Sequence, residues 1–340
     1  MASRTPSQIR ALIRLLGDED ARTSRIAREK LMETGEAALP YLAETVRDPD
    51  ARIRGRSRIL IDQIRFALLK DRFRSYAALP DDRLDLETGA FLIAAYGYPE
   101  VDMAPYRRRL DELAEGVRAD LEALREGALE PAALAGDLPD TPPSAPLPVL
   151  ALNHRLFVRE GFQGNKDSYY DPDNSYLNRV LERRLGIPIS LAVVQLLVGW
   201  RLGMPLAGVA LPGHFVVGYF PGLGSENGTG DGFGTLYGKG ALWIDPFHGG
   251  RLLTENDCHR IVAEFGHEPD PVFLQPAPVR LIVVRMLMNL VNIYRHTNRP
   301  QQAAEVRTLI GIVLDPHAQE DDQYDPYHDP MEDDDGDGGW

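Results

Sequence analysis

The apolar residues between Ser190 and Leu202 leave almost no polar face. A helix that is apolar on nearly every side is buried inside a domain. Gly186 and Pro188 interrupt the chain just before this run and mark the start of the helix. The pattern therefore predicts a buried central helix with Ser190 at its N-terminus.

Two short apolar runs follow and have the composition of strands. Phe215, Val216 and Val217 form the first, directly after His214, and Trp243 and Ile244 form the second, which ends at Asp245. Apolar runs rich in β-branched and aromatic residues predict buried strands. The glycine-rich residues 222–240 lie between them and predict a hairpin connection. With the central helix, these strands predict an α+β core over residues 149–275.

Residues 1–65 contain an internal repeat. A period of 30 residues relates Asp18, Asp20, Ala21 and Arg22 to Asp48, Asp50, Ala51 and Arg52. Each copy is predicted to open a helix, because aspartate caps helix N-termini well. The pattern resembles HEAT-type repeats, in which paired helices stack on their neighbours. Two copies form a short array, so we predict a cap or docking unit for the next domain; a separate peptide-binding groove is the alternative.

Four further segments differ in composition. Residues 66–126 predict amphipathic helices. Residues 127–148 are rich in Pro and Ala, which predicts an extended, weakly packed linker and the main domain boundary. Residues 276–318 predict two apolar helices broken near Thr297, a hairpin that partly matches a tetratricopeptide-like unit. Residues 319–340 form an acidic tail.

The tail accounts for most of the net charge of -14, because Glu320 to Trp340 hold ten acidic residues and no Lys or Arg. A block of like charges repels itself and buries little, so we predict that the tail is disordered. Binding of calcium or of a basic protein is the alternative function for it.

Bulk composition limits the remaining possibilities. The 340 residues are 44% hydrophobic and 26% charged, which is ordinary for a protein with two or three domains. A single cysteine, Cys258, excludes an intrachain disulfide and a cysteine-based zinc cluster. Neither a membrane helix nor a secretory signal is evident, which predicts a cytoplasmic protein. Without net positive charge, nucleic acid is not an expected partner.

The chemistry-bearing candidates are Ser190, His214 and Asp245. A serine at a helix N-terminus lies at the positive end of the helix dipole, which favours an anion there. A histidine facing it could act as base, and a carboxylate would hold the imidazole tautomer. The alternative for Ser190 is structural, because serine is also a good N-cap.

Four strings carry a family resemblance: GNKDSYYDPDNSYLN, RRLGIPIS, LPGHF and IDPFHGG, in this order along the chain. They resemble the SirB1-type transglutaminase-like family over roughly residues 70 to 316. The resemblance implies a papain-like core in which Ser190 occupies the place of the nucleophilic cysteine, 13 residues before Gly203. It also implies roles for His214 and Asp245 as base and orienting carboxylate.

The serine is the important departure from that family. A cysteine beside histidine readily becomes a thiolate, whereas a serine hydroxyl loses its proton during attack. The first hypothesis is therefore a non-catalytic scaffold that binds a protein or peptide partner. The second is an active Ser-His-Asp acyl-transfer enzyme, a peptidase, amidase or esterase. Weaker candidates for oxyanion or supporting roles are Asn174, Asn178 and His248.

No cofactor is expected, and the histidines show no spacing typical of a metal site. Cys258 and His259 are adjacent in a predicted helix and would point about 100° apart, so they do not form a nucleophile and base pair.

Overall fold

The computed structural model describes residues 4–221 and 241–317. Helices dominate these residues, and small sheets accompany them, as the mixed α+β prediction requires. The chain divides into two units, one ending at Ser75 and the other beginning at Tyr76. Within the described ranges, none of the helices combines the length and the apolar character that a bilayer crossing needs.

The first unit is helical. Its helices are α1 (Pro6–Leu15), α2 (Ala21–Thr34), α3 (Leu39–Glu44) and most of α4 (Ala51–Ala77). The Asp20 carboxylate accepts from the backbone N–H of Arg22 and of Thr23 at the start of α2. Asp50 Oδ1 accepts from the Arg52 N–H in the same way at the start of α4. Both predicted helix starts are confirmed, and the HEAT-like classification of residues 1–65 stays a prediction.

The second unit carries the remaining helices and all the strands of the described residues. Its helices are α5 (Leu86–Gly97), α6 (Ala104–Arg125), α7 (Pro131–Gly136), α8 (Leu147–Asn153), α9 (Leu177–Arg183), α10 (Pro188–Arg201), α11 (Glu255–Glu264), α12 (Val279–His296) and α13 (Pro300–Leu314). Its strands are β1 (Gln163–Gly164), β2 (Leu185–Gly186), β3 (Leu206–Val209), β4 (Val216–Tyr219), β5 (Leu242–Asp245) and β6 (Arg251–Leu253).

A four-stranded antiparallel sheet has the order β3-β4-β5-β6. Val217 pairs with Ile244, and Asp245 pairs with Arg251. The two predicted strands are thus neighbours in the sheet, and both are short, apolar and largely buried. The predicted hairpin connection at 222–240 lies outside the described residues.

Helix α10 is the centre of this unit. Every residue from Pro188 to Gly199 is buried, as the apolar pattern predicted. The helix packs against β3, β4, α6 and α12, so sheet and helices cover it on several sides. Ser190 lies in its first turn, which places a small polar group at the edge of an apolar core.

Residues 127–148 contain α7 and are packed rather than extended. Leu134, Ala135, Leu138 and Ala145 are buried, and the last three pack with Leu150 of α8. The alanines and leucines of this segment bury enough surface to fix it, although its prolines favour extended backbone. The structure therefore has a packed connection where we predicted a weakly packed linker, and the compact units divide at Ser75 instead.

Helices α12 and α13 form a hairpin, at the place that the sequence indicates. The turn passes through Asn298, whose φ is +55°, a left-handed conformation that asparagine tolerates. The tetratricopeptide-like classification of 276–318 stays a prediction. The acidic tail, and the prediction that it is disordered, lie beyond the described residues.

The burial of α10 leads to a stability prediction. Leu196→Ala should lower the free energy of unfolding by about 2–5 kcal/mol, because Leu196 is fully buried and its truncation leaves a cavity. Leu281→Ala makes the same chemical change on α12, where Leu281 is 42% exposed, and should cost less than about 1 kcal/mol. Chemical denaturation of both variants checks this. Equal losses would contradict the central position of α10.

Candidate functional site

The site is organised around the Asp245 carboxylate at the end of β5. Asp245 is buried and caps the 3-10 turn Pro246–His248. Its Oδ1 accepts from the backbone N–H of Phe247 at 3.0 Å and of His248 at 3.3 Å. Its Oδ2 accepts from two histidine rings: His214 Nε2 at 2.9 Å and His248 Nδ1 at 2.7 Å. Four donors thus converge on one buried carboxylate.

Backbone contacts position His214. Its N–H donates to the Leu211 carbonyl at 3.2 Å. The Arg285 guanidinium of α12 donates to the carbonyls of both Leu211 and His214, at 3.0 and 3.2 Å. Gly213 has a φ of +69°, and the Phe265 ring occupies the space that a Cβ there would need. The tight turn before β4 therefore requires glycine and directs His214 towards Asp245.

Burial of Asp245 opposes its ionisation, but the hydrogen bonds from His214 and His248 outweigh that effect. They hold the pKa of the Asp245 carboxyl well below its usual range. The carboxylate is consequently charged at neutral pH. It fixes Nε2 of His214 as a donor and leaves Nδ1 as the nitrogen that could accept a proton.

Ser190 is 1% exposed, and its hydrogen bonds go to the backbone. Its Oγ donates to the Asn174 carbonyl at 2.6 Å, lies 3.1 Å from the Ile187 carbonyl, and accepts the Ile187 N–H at 3.0 Å. Within residues 4–221 and 241–317, no hydrogen bond joins Ser190 to His214. The structure thus joins His214 to Asp245, whereas Ser190, the predicted third member of the triad, is hydrogen-bonded to the backbone of the loop before α10.

Close contacts nevertheless connect Ser190 with the turn after Asp245. A Cβ on Gly186 would lie 2.6 Å from Ser190 Oγ, and Gly186 pairs with Gly164 in the parallel β1-β2 ladder. A Cβ on Gly164 would in turn lie 2.5 Å from the Phe247 ring. The two glycines therefore allow the serine loop and the Asp245 turn to approach each other.

The two asparagines have different surroundings. The Asn174 amide donates to the carbonyls of Ser168 and Tyr169, and its Oδ1 accepts from Asn165. It braces the loop that presents its carbonyl to Ser190. Asn178 is buried on α9, and its Oδ1 has no hydrogen-bond partner in the described part of the chain. An oxyanion role for either stays a prediction.

A second polar chain supports the site, and sequence reasoning missed it. Gln195 of α10 donates to Asn153 Oδ1 at 2.7 Å, and Asn153 Nδ2 donates to the Gly250 carbonyl at 2.8 Å. Both side chains are fully buried. They tie α10 and α8 to the turn after His248. The sequence does contain a sign of this chain, because Asn153 and Gln195 are each a side-chain amide within an apolar helical run, where a polar group requires a partner.

Cys258 takes no part in the site. It is buried in an apolar cluster with Trp243 and Leu253. Burial, with the nearby Asp257 carboxylate, raises the pKa of the Cys258 thiol to about 12. It is therefore a neutral core residue at physiological pH.

Aromatic rings extend from the site along the surface. We define the aromatic row as His248, Phe247, Tyr169, Tyr170 and His296. Consecutive ring centroids are 5.2, 6.0, 5.4 and 4.2 Å apart, and the last pair, Tyr170 and His296, is stacked. Tyr170 is 45% exposed, so the outer end of the row faces solvent.

The first turn of α10 carries Ser190, and His214, just before β4, is hydrogen-bonded to Asp245 at the end of β5; a central helix and a sheet of this kind are what a transglutaminase-like class of protein would show. Residues 104–288 match the family model of the transglutaminase-like superfamily, and the chain belongs to that superfamily. The narrower SirB1-type assignment stays a prediction.

Similar proteins come from bacteria and animals. A UPF0162 protein of Xylella fastidiosa (strain 9a5c) is 39% identical over 243 residues, 70% of this chain and 74% of that protein. The F-box only protein 21 of Homo sapiens is 26% identical over 251 residues, 71% of this chain and 37% of that protein. No solved structure gives a significant match.

The lowered pKa of Asp245 leads to a pH-dependent prediction. Asp245→Asn should cost about 1–3 kcal/mol of stability at pH 7, because it removes a hydrogen-bonded buried charge. A depressed folded-state pKa contributes stability above the unfolded value, about 3.9, and loses it as the pH falls further. The stability difference between wild type and variant should therefore shrink below about pH 4. Urea titrations at several pH values measure this, and a constant difference would contradict the assigned cause.

Proposed function

We propose that this protein is a non-catalytic transglutaminase-like module that binds a protein or peptide partner, in a reducing compartment such as the cytoplasm. The observation that carries the proposal is that the Ser190 hydroxyl is hydrogen-bonded to the backbone of Asn174 and Ile187. The single free cysteine suits the compartment.

The hydroxyl has one proton, which Ser190 gives to the Asn174 carbonyl at 2.6 Å. An attacking serine must give that proton to a base. Ser190 would have to give up its bonds to the Asn174 carbonyl and from the Ile187 N–H, and those two groups would keep only the 3.4 Å bond that joins them to each other. Each hydrogen bond given up costs about 0.5–1.5 kcal/mol. This cost supports a serine that caps α10 and closes the loop rather than one that attacks a carbonyl.

The aromatic row supplies the binding surface in this proposal. Tyr, Phe and His rings present flat apolar area at small entropic cost, and aromatic residues are enriched at the centres of interfaces. The row begins at His248 beside Asp245 and ends at the exposed stacked pair Tyr170 and His296. An extended peptide segment with an apolar or aromatic side chain fits such a surface. Similarity to F-box only protein 21 suggests an interaction role but supplies no partner.

The proposal predicts that Tyr170→Ala weakens partner binding about thirtyfold or more, since removal of an aromatic interface anchor costs about 2 kcal/mol or more. Partners captured from the source cell by the full chain are identified by mass spectrometry, and one is purified for titration against wild type and variant. Val272→Ala is the matched control, because Val272 is 53% exposed and lies outside the row. Equal affinities for wild type and Tyr170→Ala would contradict the assigned surface.

A second candidate is a serine-dependent acyl-transfer enzyme. The observation that favours it is the 2.9 Å hydrogen bond between His214 Nε2 and Asp245, which leaves Nδ1 of His214 able to act as base. In this alternative Ser190 is the nucleophile and Asp245 orients the imidazole.

Reactivity at position 190 distinguishes the two candidates. If the site is non-catalytic, a serine-directed phosphonate leaves Ser190 unlabelled. The thiol of the Ser190→Cys variant then alkylates no faster than the same thiol in the double variant that also carries His214→Ala. The buried Cys258 is the internal reference in both backgrounds, and tandem mass spectrometry locates the label. Labelling of Ser190, or a His214-dependent thiolate in Ser190→Cys, would favour the enzyme.

A further inference from the structure

We propose that His214, Asp245 and His248 bind a divalent transition metal ion, with zinc as the best-matched ion. One donor atom from each residue lies within 4.8 Å of the other two. Two imidazole nitrogens and a carboxylate oxygen form a ligand set that Zn²⁺ accepts in proteins. The site goes beyond partner binding and does not depend on it.

The separations are close to those of a metal site. Donors around zinc with bonds of about 2.1 Å stand about 3.4 Å apart in a tetrahedron. Asp245 Oδ2 lies 2.9 Å from His214 Nε2 and 2.7 Å from His248 Nδ1. Each of these two separations would widen by about 0.5–0.7 Å when one cation replaces the two N–H protons, and the two ring nitrogens, which lie within 4.8 Å of each other, would adjust to the same spacing. The His248 side chain is 47% exposed, so its ring has room to make this adjustment.

Supporting contacts orient the ligands. Backbone N–H groups of Phe247 and His248 hold Oδ1 of Asp245, which leaves Oδ2 directed at the two rings. The Arg285 contact with the carbonyl of His214 fixes the turn before β4. Such outer contacts usually orient metal ligands and raise affinity. The Arg285 guanidinium donates to the carbonyls of Leu211 and His214 and not to the His214 ring. The ring nitrogens of His214 therefore stay available to the metal.

Three protein ligands leave a fourth coordination position open. In zinc sites with three protein ligands, that position takes water or an incoming group. The exposed His248 places it at the solvent-facing end of the cluster. The metal would thereby also mark the beginning of the aromatic row.

Sequence spacing hides this cluster. His214 precedes Asp245 by 31 residues, and His248 follows it by three. We therefore predicted no metal site from the sequence. Antiparallel pairing of β4 with β5 and the turn after Asp245 bring the donors together.

Cobalt serves as a spectroscopic substitute for zinc in the test. Full-length protein is stripped with a chelator and titrated with Co²⁺ at pH 7.5, and the visible absorption of the bound ion is recorded. We expect one saturable equivalent with a spectrum typical of four or five ligands, displaced by Zn²⁺. His248→Ala should weaken binding at least about tenfold, as even losses of supporting contacts do so.

Matched variants separate this site from other donors. His267→Ala changes an exposed histidine outside both the cluster and the aromatic row and should leave Co²⁺ binding unchanged. His328→Ala tests the acidic tail, and its variant should also bind normally. His214→Ala is checked for folding by circular dichroism before titration. If His214→Ala is unfolded, the test relies on His248→Ala. Absence of saturable binding, or loss of the spectrum in His328→Ala but not in His248→Ala, would overturn the proposal.

Discussion

The Asp245 carboxylate is the constraint on which the second unit depends. A buried charge without partners costs several kcal/mol, so the fold must deliver donors to it. Two come from the backbone of the turn that Asp245 itself caps, one from His248 in that turn, and one from His214 just before the neighbouring strand β4. The strand pairing, the turn and the ring orientations are therefore one cooperative arrangement.

The N-terminus of α10 likewise contains buried polar groups that need hydrogen-bond partners. Helix starts leave N–H groups without internal partners, and an apolar central helix cannot rely on water to satisfy them. Ser190 accepts from the Ile187 N–H and donates to the Asn174 carbonyl, which joins the helix to the preceding loop. Gly186 permits this approach, because a side chain there would overlap the hydroxyl. The polar contacts of Ser190 thus serve packing.

Sequence patterns predicted the elements better than their contacts. The buried helix through Gln195, the strand after His214 and the strand that ends at Asp245 could be predicted from continuous apolar runs, since burial demands them. The packing of 127–148 could not, because proline-rich composition describes backbone preference and ignores how many alanines and leucines find a surface. The hydrogen bonds that join Asn153 to Gln195 and to the Gly250 carbonyl also escaped, since hydrogen bonds between distant segments leave no spacing in the sequence.

The combination of a histidine and aspartate pair with a serine at the helix start does not itself argue for catalysis. His214 satisfies a buried carboxylate, and Asp245 satisfies two backbone donors and a second histidine, so each has a structural role whatever Ser190 does. Removing either one leaves buried polar groups unpaired. Ser190 has structural contacts as well, because its hydroxyl links the Ile187 N–H to the Asn174 carbonyl at the start of α10. In this fold stability alone can therefore maintain all three side chains, and their presence together is no argument for catalysis.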